Sequence, residues 1–390
     1  VPDSALKRRP RSSRVPVHRP APDPEALQQA ARAILRAERP ALLVGGGAIA
    51  SGAFAQVQAL AEHLDAPVTT TMSGKGIIAE SDPRAFGIAG SMGNPVANQI
   101  LKAADLVIFV GSKAGQIATY GYEVPQPGTP SIHIDIDPEE IGRNFADSVP
   151  VVADARTAVT ALLDTLGAGR PKTTWDLADL SRQLTGWYRD EMQPAGRAPT
   201  PLHPPSVMEV VNRLASEDDV VVADASLASG WMTVFYRARR AARQYFSPRG
   251  LAGLGWGAPA AIGAALAAGG GRRVLLFAGD GGFAYSVQEL EVMVRLALPV
   301  VTIIFNNDAL GWIKHVEKKR LPDGFISADF SHVDFAAVAR GFGARGYSVR
   351  TLDQLESALQ SERTPAGPAL IDVASDQWAT PVLRFSSGGE

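Results

Sequence analysis

The stretch that decides the fold follows an apolar run and reads Phe277-Ala278-Gly279-Asp280-Gly281-Gly282-Phe283. A second stretch ends another apolar run and reads Ile304-Phe305-Asn306-Asn307-Asp308. The 24 residues between Gly281 and Asn306 have the pattern of one helix followed by one strand. Because open parallel sheets bind ligands at the carboxyl ends of their strands, the two stretches predict one ligand site.

The residues of these two stretches suit a metal-bound diphosphate. The glycines let backbone amides approach a phosphate closely, and a helix expected to begin near Ser286 adds a partial positive charge. Asp280 offers a carboxylate oxygen and Asn307 an amide oxygen, both suitable for Mg²⁺. Either stretch alone is as unspecific as any glycine or asparagine turn. The pair at this spacing is the informative signal.

Working outward, short apolar runs alternate with helical spacing in both halves of the chain. This alternation predicts an α/β fold with two doubly wound parallel-sheet domains, the first of them Rossmann-like. The predicted strands are Ala41–Val44, Pro67–Thr71, Leu106–Val110, Ser131–Ile136, Val220–Ala223, Val274–Phe277, Val300–Phe305 and Ala369–Val373.

Breaks in the alternation predict the domain boundaries. We expect a basic, proline-rich linker at 1–24, a central domain at 25–165, an interdomain linker with a helix at 166–200, a phosphate-binding domain at 201–378 and a tail at 379–390. The first segment is interpreted as a linker because proline extends the chain, and because it has no aromatic residue to suit a nucleic-acid-binding arm.

Composition excludes several classes of function. The 390 residues are 46% hydrophobic and 20% charged, with a net charge of −2, which is typical of a globular enzyme and gives no electrostatic reason to bind nucleic acid or an anionic membrane. Cysteine is absent, which rules out thiol catalysis and disulfides in this sequence. With no apolar signal core near Val1, we expect a cytoplasmic protein.

The two stretches, at their spacing, resemble the signature of the acetolactate synthase-like family of thiamine-diphosphate-dependent enzymes. The resemblance runs from the central domain to the C-terminus. It implies thiamine diphosphate and Mg²⁺ as cofactors, with Asp280, the side chain of Asn307 and the carbonyl of Ala309 as metal ligands. It also implies that Gly281 and Gly282, following Gly279, face the diphosphate through their amides.

Two upstream segments extend the resemblance. Arg249–Ala261 is similar to the family's aminopyrimidine-binding segment. By this resemblance the Ala252 carbonyl accepts a hydrogen bond, Gly253 follows, and Leu254 is the bulky residue that forces the cofactor into a V shape. The segment Asp224–Trp231 is similar to the loop that contacts the outer phosphate and contributes Ser226, Leu227 and Ala228.

The outer-phosphate loop also departs from the family. The synthases proper have glutamine and histidine where Leu227 and Ala228 stand, which weakens the expectation that pyruvate is the substrate.

The resemblance assigns no catalytic residue to this sequence. In the family, the glutamate that activates the cofactor belongs to an N-terminal pyrimidine-binding domain, and no segment here matches it. We expect that domain on another chain, in a dimer or tetramer core, whether the enzyme is naturally split or this chain is shortened. Trp312 and Ile313 are candidates to face a small 2-oxo acid, although Trp312 is equally typical of a core aromatic, and His315 is a candidate for proton transfer.

The central domain shows weaker motifs. Val44–Gly47 is a glycine turn after a strand, and some relatives bind FAD or ADP in this domain. The segment Gly111–Gln116 lacks the arginine- and aspartate-rich stretch of flavin-binding synthases, so we predict no FAD. His133 and Asp135 share a strand face, for which satisfied polar groups explain the pattern better than a metal pair.

The function implied by the resemblance is carboligation, in which a 2-oxo acid is decarboxylated and its acyl group is transferred to an acceptor carbonyl. A 2-oxo-acid decarboxylase or a 2-hydroxyacyl-CoA lyase is the alternative within enzymes. A non-catalytic assembly or regulatory subunit is the alternative outside them, and the complete ligand set of Asp280 and Asn307 argues against it.

Overall fold

The computed structural model describes residues 18–193, 200–269, 271–321 and 324–381. Parts of four predicted segments therefore lie outside the described residues: 1–17 of the N-terminal linker, 194–199 of the interdomain linker, 270 and 322–323 of the phosphate-binding domain, and 382–390 of the tail.

The N-terminal half forms the first alternation of helices and strands. Its elements in chain order are α1 (Pro24–Arg36), β1 (Pro40–Val44), α2 (Gly46–Ser51), α3 (Phe54–Leu64), β2 (Val68–Thr70), a 3₁₀ turn (Met72–Gly74), β3 (Ala85–Ile88), α4 (Pro95–Ala103), β4 (Leu106–Val110), β5 (Ser131–Asp135), β6 (Ser148–Val152) and α5 (Ala155–Leu166). Helix α6 (Leu177–Met192) follows.

The C-terminal half repeats the alternation. Its elements are α7 (Pro204–Leu214), β7 (Val220–Ala223), α8 (Leu227–Phe235), β8 (Tyr245–Phe246), α9 (Gly257–Ala267), β9 (Val274–Gly279), α10 (Asp280–Ala284), α11 (Glu289–Arg295), β10 (Val300–Asn306), α12 (Gly311–Arg320), α13 (Phe335–Gly341), β11 (Arg345–Val349), α14 (Leu352–Ser361) and β12 (Ala369–Ala374).

Within the described residues, the strands form two six-stranded sheets whose neighbours all pair in parallel. Their orders are β3-β2-β1-β4-β5-β6 and β11-β12-β10-β9-β7-β8. The α/β fold with two doubly wound domains is therefore confirmed. In the second sheet, β8 lies on one side of β7 and the later strands lie on the other, so the strand order reverses between β7 and β9. Such a switch point leaves a crevice at the carboxyl ends of the strands.

Apolar strands and capped helices explain why the sequence folds this way. Strands β4 and β10 are buried along their whole length, as expected of strands covered by helices on both faces. Helices α1 and α5 begin where Asp23 and Asp154 accept hydrogen bonds from backbone amides of the first turn, which satisfies groups that the helix itself leaves unpaired.

Four strands have no counterpart in the sequence-based prediction, and each has a local cause. Strand β3 carries Gly87 at a positive φ of 71°, β6 carries Pro150, and β11 carries Gly346, all residues that weaken a strand signal. Proline is tolerated in β6 because this strand lies at the edge of its sheet. Strand β8 has only two residues.

Helix α6 and the N-terminal segment are attached to the domains rather than free. On α6, Leu180 packs in a core of the first half, whereas Tyr188 and Met192 pack in the core of the second. The Tyr188 hydroxyl donates to the carbonyl of Val234 at 2.9 Å. Arg19, in the segment predicted as a linker, pairs with Asp154 at 2.9 Å.

Direct contacts also join the two halves. The amide of Ala242 donates to the Gly76 carbonyl at 2.9 Å, and the amide of Glu80 donates to the Ala238 carbonyl at 2.7 Å. A Cβ on Gly76 would lie 2.4 Å from Cδ2 of Tyr245, so that ring packs directly on the glycine backbone. In the ranges given above, no helix has the length and apolar character needed to cross a membrane.

Candidate functional site

A cleft opens at the carboxyl ends of β7, β9 and β10. Because these strands are adjacent and parallel, the segments that follow them meet at one edge of the sheet. The cleft brings together most residues that the sequence singled out, namely Ser226, Leu227, Ala228, Leu254, Gly279, Asp280, Gly281, Gly282, Asn307 and Ala309. Ala252 lies in a neighbouring cavity, which shares Ser226 and Leu254 with the cleft.

The carboxylate of Asp280 lies at the centre of the cleft and links two loops. Its Oδ1 accepts a hydrogen bond from the Gly281 amide at 2.7 Å. Its Oδ2 accepts from the amides of Asn307 and Ala309, each at 3.2 Å. The end of β9 is therefore tied to the loop that follows β10.

The same carboxylate is strongly buried, and no cationic side chain is among its hydrogen-bond partners in the described residues. Asp280 is only 4% exposed, and burial raises its pKa to about 6, although the three backbone amides act in the opposite direction. A cation that binds beside a desolvated carboxylate of this kind stabilises its ionised form.

The neighbouring groups complete an oxygen-rich site that fits Mg²⁺. The Asn307 Oδ1 lies 3.3 Å from the Ala309 amide, so it is close to the loop that Asp280 holds. Among the described residues, no three His, Cys, Asp or Glu side chains are grouped so that they could hold a metal ion. One carboxylate, one side-chain amide and the carbonyl of Ala309 are nevertheless hard ligands, and Mg²⁺ usually combines few protein ligands with substrate phosphates.

Several glycines of the site are required by close approach. A Cβ on Gly282 would lie 2.5 Å from Oδ2 of Asp224, and a Cβ on Gly281 would lie 2.8 Å from the Phe330 ring. A Cβ on Gly311 would lie 2.8 Å from Leu227. Only glycine lets these segments pack while leaving their backbone amides close to the cleft.

The helices at the cleft differ from those predicted. Helix α10 begins at Asp280 itself rather than near Ser286, and a separate helix, α11, begins at Glu289. The segment from Leu227, interpreted as a loop, is the first turn of α8. The N-termini of α8 and α10 therefore both lie at the cleft, and their partial positive charges suit an anionic ligand.

Asp224 is a structural residue of the site to which the sequence analysis gave no role of its own. Its Oδ2 accepts from the Gly255 amide and its Oδ1 from the Gly257 amide, both at 3.0 Å. The carboxylate is 1% exposed and fixes the segment that carries Leu254 beside the cleft. The signal that could have found it is an acidic residue directly after a buried strand, in the same pattern as Asp280.

Two non-glycine residues of the site have backbone conformations that favour glycine. Ser226 has φ 67° and ψ −144°, and Ala252 has φ 48°. Such conformations cost free energy in residues with a Cβ, and they tend to occur at functional sites. The strain at Ser226 lies directly before the first turn of α8.

The substrate-facing candidates separate into two groups. Trp312 and Ile313 line the neighbouring cavity together with Leu254, and Trp312 also packs against the core of the C-terminal half. His315 is 8% exposed, and its Nε2 lies 3.3 Å from the Ala379 carbonyl, with its ring edge-on to Trp378. His315 lines neither the cleft nor the cavity.

The glycine turns of the central domain have a packing explanation. The amide of Gly45 donates to the Val110 carbonyl, and a Cβ on Gly45 would lie 2.3 Å from the Gly111 carbonyl oxygen. His133 is buried, and its Nε2 lies 2.8 Å from the Ser112 carbonyl. These turns therefore need glycine for contact with each other, and the expectation of no FAD stays a prediction.

Comparison with known proteins places both halves in one family. Residues 27–162 match the family described as thiamine pyrophosphate enzyme, central domain. Residues 224–373 match the family described as thiamine pyrophosphate enzyme, C-terminal TPP binding domain.

Individual relatives agree with these matches. The probable acetolactate synthase large subunit of Methanocaldococcus jannaschii is 31% identical over 366 residues, which is 90% of this chain and 60% of the relative. The acetolactate synthase isozyme 1 large subunit of Escherichia coli is 32% identical over 360 residues, which is 92% of this chain and 62% of the relative. The chain thus spans less than two thirds of the length of these relatives.

Replacing Ser226 by glycine should stabilise the chain. Relief of the strained backbone outweighs the extra freedom of glycine in the unfolded chain, and we expect a gain of about 1 kcal/mol in the free energy of unfolding, measured with urea. The matched control is Ser181→Gly, at an exposed position within α6, which should lose about 1 kcal/mol because glycine disfavours helix. A Ser226→Gly chain no more stable than the wild type would contradict the strain.

Replacing Asp224 by alanine should destabilise the chain strongly. Two buried amides lose their acceptor, so we expect a loss of about 2–4 kcal/mol in urea unfolding. Glu291→Ala is the control, because Glu291 is exposed and pairs with Arg295 on the surface of α11, where we expect a loss below about 1 kcal/mol. Equal losses in the two variants would show that Asp224 does not fix the segment.

Proposed function

Because the chain belongs to the thiamine pyrophosphate enzyme family and is acetolactate synthase-like, we propose that it carries the diphosphate and metal site of a carboligase. The enzyme decarboxylates a 2-oxo acid and transfers the acyl group to a carbonyl acceptor. A pyrimidine-binding domain outside this sequence contributes the activating glutamate, either as part of a longer protein or as a separate subunit.

The observation that carries this proposal is the buried carboxylate of Asp280. It is held between the amides of Gly281, Asn307 and Ala309, beside the oxygen of Asn307 and the glycine turn of α10. A carboxylate desolvated in this way needs a cation, and the surrounding amides and helix N-termini suit a diphosphate. A Mg²⁺–diphosphate unit satisfies both requirements together.

The chain's own residues bind and orient the cofactor. When bound, thiamine diphosphate supplies a thiazolium that accepts the electron pair left behind when a 2-oxo acid loses CO₂. Asp280, Asn307 and the Ala309 carbonyl hold the metal. Asp224 fixes the segment on which Leu254 stands as the apolar support. Trp312 and Ile313 line the adjacent cavity and give it an apolar wall.

Exposed apolar side chains near the site support the proposed pyrimidine-domain partner. Leu251 is fully exposed, Tyr285 is 69% exposed, and Ile313 is 45% exposed. Leu251 lies in the segment beside the cavity, and Tyr285 directly follows α10. Large exposed apolar side chains on segments that border a site are typical of a surface that another domain covers.

Two apolar residues of the cleft bear on which substrate class the enzyme uses. Leu227 and Ala228 line the cleft with apolar side chains, whereas the synthases proper have glutamine and histidine there. This difference favours testing a 2-oxo-acid decarboxylase or a 2-hydroxyacyl-CoA lyase beside the carboligase. A product assay with two carbonyl substrates separates them, because only the carboligase forms the mixed ligation product.

Replacing Asp280 by asparagine should abolish cofactor binding. In calorimetric titration of thiamine diphosphate with Mg²⁺, we expect the affinity to fall by at least the roughly 100-fold that outer-shell partners of a metal can reach. The matched control is Asp308→Asn, in the same loop, whose side chain is 44% exposed and whose carboxylate lies 3.0 Å from His332. Asparagine tolerates the positive φ of 53° at that position.

Two outcomes would contradict the cofactor site. Wild-type chain that binds no thiamine diphosphate, alone or with a candidate pyrimidine-domain partner, would favour a non-catalytic assembly or regulatory role. Equal affinities in the Asp280→Asn and Asp308→Asn variants would show that the metal lies elsewhere.

The purified chain alone should catalyse very little. Because the activating glutamate is proposed to lie outside this sequence, we expect CO₂ release from 2-oxo acids near the uncatalysed rate, rising when a pyrimidine-domain partner is added. Appreciable turnover by the chain alone would contradict the shared active site while leaving the cofactor site intact.

A further inference from the structure

A cavity of about 310 Å³ lies next to the cofactor cleft, on the other side of Leu254. Cleft and cavity share Ala225, Ser226, Leu254 and Leu310, so a ligand in the cavity would lie directly beside a ligand in the cleft. The remaining residues that line the cavity are Met92, Ile117, Ser229, Arg249, Gly250, Ala252, Trp312 and Ile313.

Arg249 is the single charged residue in this lining, which falls wholly within the described ranges. Nothing in those ranges accepts a hydrogen bond from its guanidinium or forms an ion pair with it. Partial burial of the side chain lowers the pKa of Arg249 below its usual range. A guanidinium has five donors, and in this half-buried position they are left to solvent or to a ligand that enters the cavity.

Two other arginines, the buried Arg273 and the more exposed Arg345, have carboxylate partners. Arg273 forms a buried ion pair with Asp219, and Arg345 donates to both carboxylate oxygens of Glu362, at 2.6 and 2.7 Å. The fold therefore supplies carboxylates for arginines that serve only its stability. Arg249 has no such acceptor and points to an anion from outside the chain.

The rest of the cavity lining is mostly apolar, and Ser226 and Ser229 are its hydroxyl residues. The side chains of Trp312, Ile313, Leu254 and Met92 offer contacts to a short aliphatic body, and the lining has no carboxylate to repel an anion. The cavity thus matches a small molecule with one anionic group and a short apolar remainder.

We propose that Arg249 is a specificity-determining residue that binds an anionic group which the substrate retains through the reaction. This inference rests on the proposed function, because it takes the cavity as the substrate side of the cofactor cleft. Trp312 and Ile313 hold the aliphatic part of the same molecule.

The chemistry of the reaction explains why the retained group is the target. In the carboligation, the bond between the donor's carbonyl carbon and its carboxyl carbon breaks, and CO₂ leaves uncharged. The electron pair then forms the new bond to the acceptor's carbonyl carbon, whose oxygen takes up a proton. A fixed cation beside the departing carboxylate would stabilise the ground state more than the transition state, because the carboxylate loses its charge, and would therefore raise the barrier. A cation beside a retained anionic group stabilises both states equally and leaves the barrier unchanged.

Two sources of a retained anionic group have the same chemistry: the carboxylate of a 2-oxo acid acceptor, or a second acidic group at the far end of the donor. Both are tested by titrating the chain, without a partner domain and so without turnover, with three probes. The probes are 2-oxobutanoate, the dianion 2-oxoglutarate and the neutral pentane-2,3-dione. Calorimetry measures the affinity of each probe for the wild type, Arg249→Gln and Arg249→Lys.

The expected result is a loss confined to the anions. In Arg249→Gln, affinity for at least one anionic probe falls about tenfold or more, as expected when a hydrogen-bonded charge partner is removed, while the dione binds as to wild type. Arg249→Lys keeps the charge but not the two-pronged donor geometry and recovers part of the loss. Loss of 2-oxoglutarate alone identifies the distal acid, and loss of both anions identifies the acceptor carboxylate.

The variants should fold normally, because Arg249 makes no hydrogen bond to the described residues, and the thermal unfolding midpoint verifies this. Unchanged anion affinity in Arg249→Gln, an equal loss for the neutral dione, or no binding of any probe by the wild type would overturn the inference. Anion binding through Arg249 in a chain that binds no thiamine diphosphate would instead contradict the proposed function. Cofactor binding with unchanged anion affinity would contradict the anion site alone.

With its cofactor and partner domain present, the enzyme gives a second readout. The ratio of products formed from an anionic acceptor and from a neutral acceptor should shift toward the neutral one in Arg249→Gln. An unchanged ratio for the acceptors, together with an unchanged preference among donors, would also overturn the inference.

Discussion

The hydrogen bonds of the Asp280 carboxylate are the interaction on which the rest of the site depends. They tie the end of β9 to the loop after β10, and so bring Gly281, Asn307 and Ala309 to the same point. The cost of this arrangement is a buried negative charge, expressed in a pKa raised to about 6. The parallel sheet makes these hydrogen bonds possible, because neighbouring strands end at the same edge and the loops that follow them lie close together.

Much of this could be predicted from the sequence, and for a physical reason. The fully buried strands β4 and β7 have the bounds that the sequence predicts, because strands covered on both faces leave an unbroken apolar run. The grouping of Asp280, Asn307 and the glycines followed from their positions at two strand ends. The prediction that the helix begins near Ser286 was wrong, because α10 begins at Asp280. Glycines and an aspartate are typical of a turn, and only tertiary packing makes them the first turn of a helix.

Other features needed the three-dimensional structure. Asp224 accepts from amides more than thirty residues away, and Arg249 is informative only because its surroundings lack an acceptor. An acidic residue after a strand marks Asp224 as a candidate, but the sequence shows neither its distant partners nor the missing acceptor of Arg249. The strain at Ser226 is likewise invisible, because serine before a helix is ordinarily a favourable cap, and its actual φ of 67° arises from the way the end of β7 turns into α8.

Helix α6 has a consequence for how the molecule melts. It inserts Leu180 into one core and Tyr188 with Met192 into the other, and the core of the C-terminal half also takes in Met92 from the central half. Neither half can lose its packing without exposing apolar surface of the other. Heating should therefore give a single cooperative calorimetric transition. For the same reason, a ligand bound at the C-terminal sheet should also protect the amide hydrogens of the central sheet from exchange.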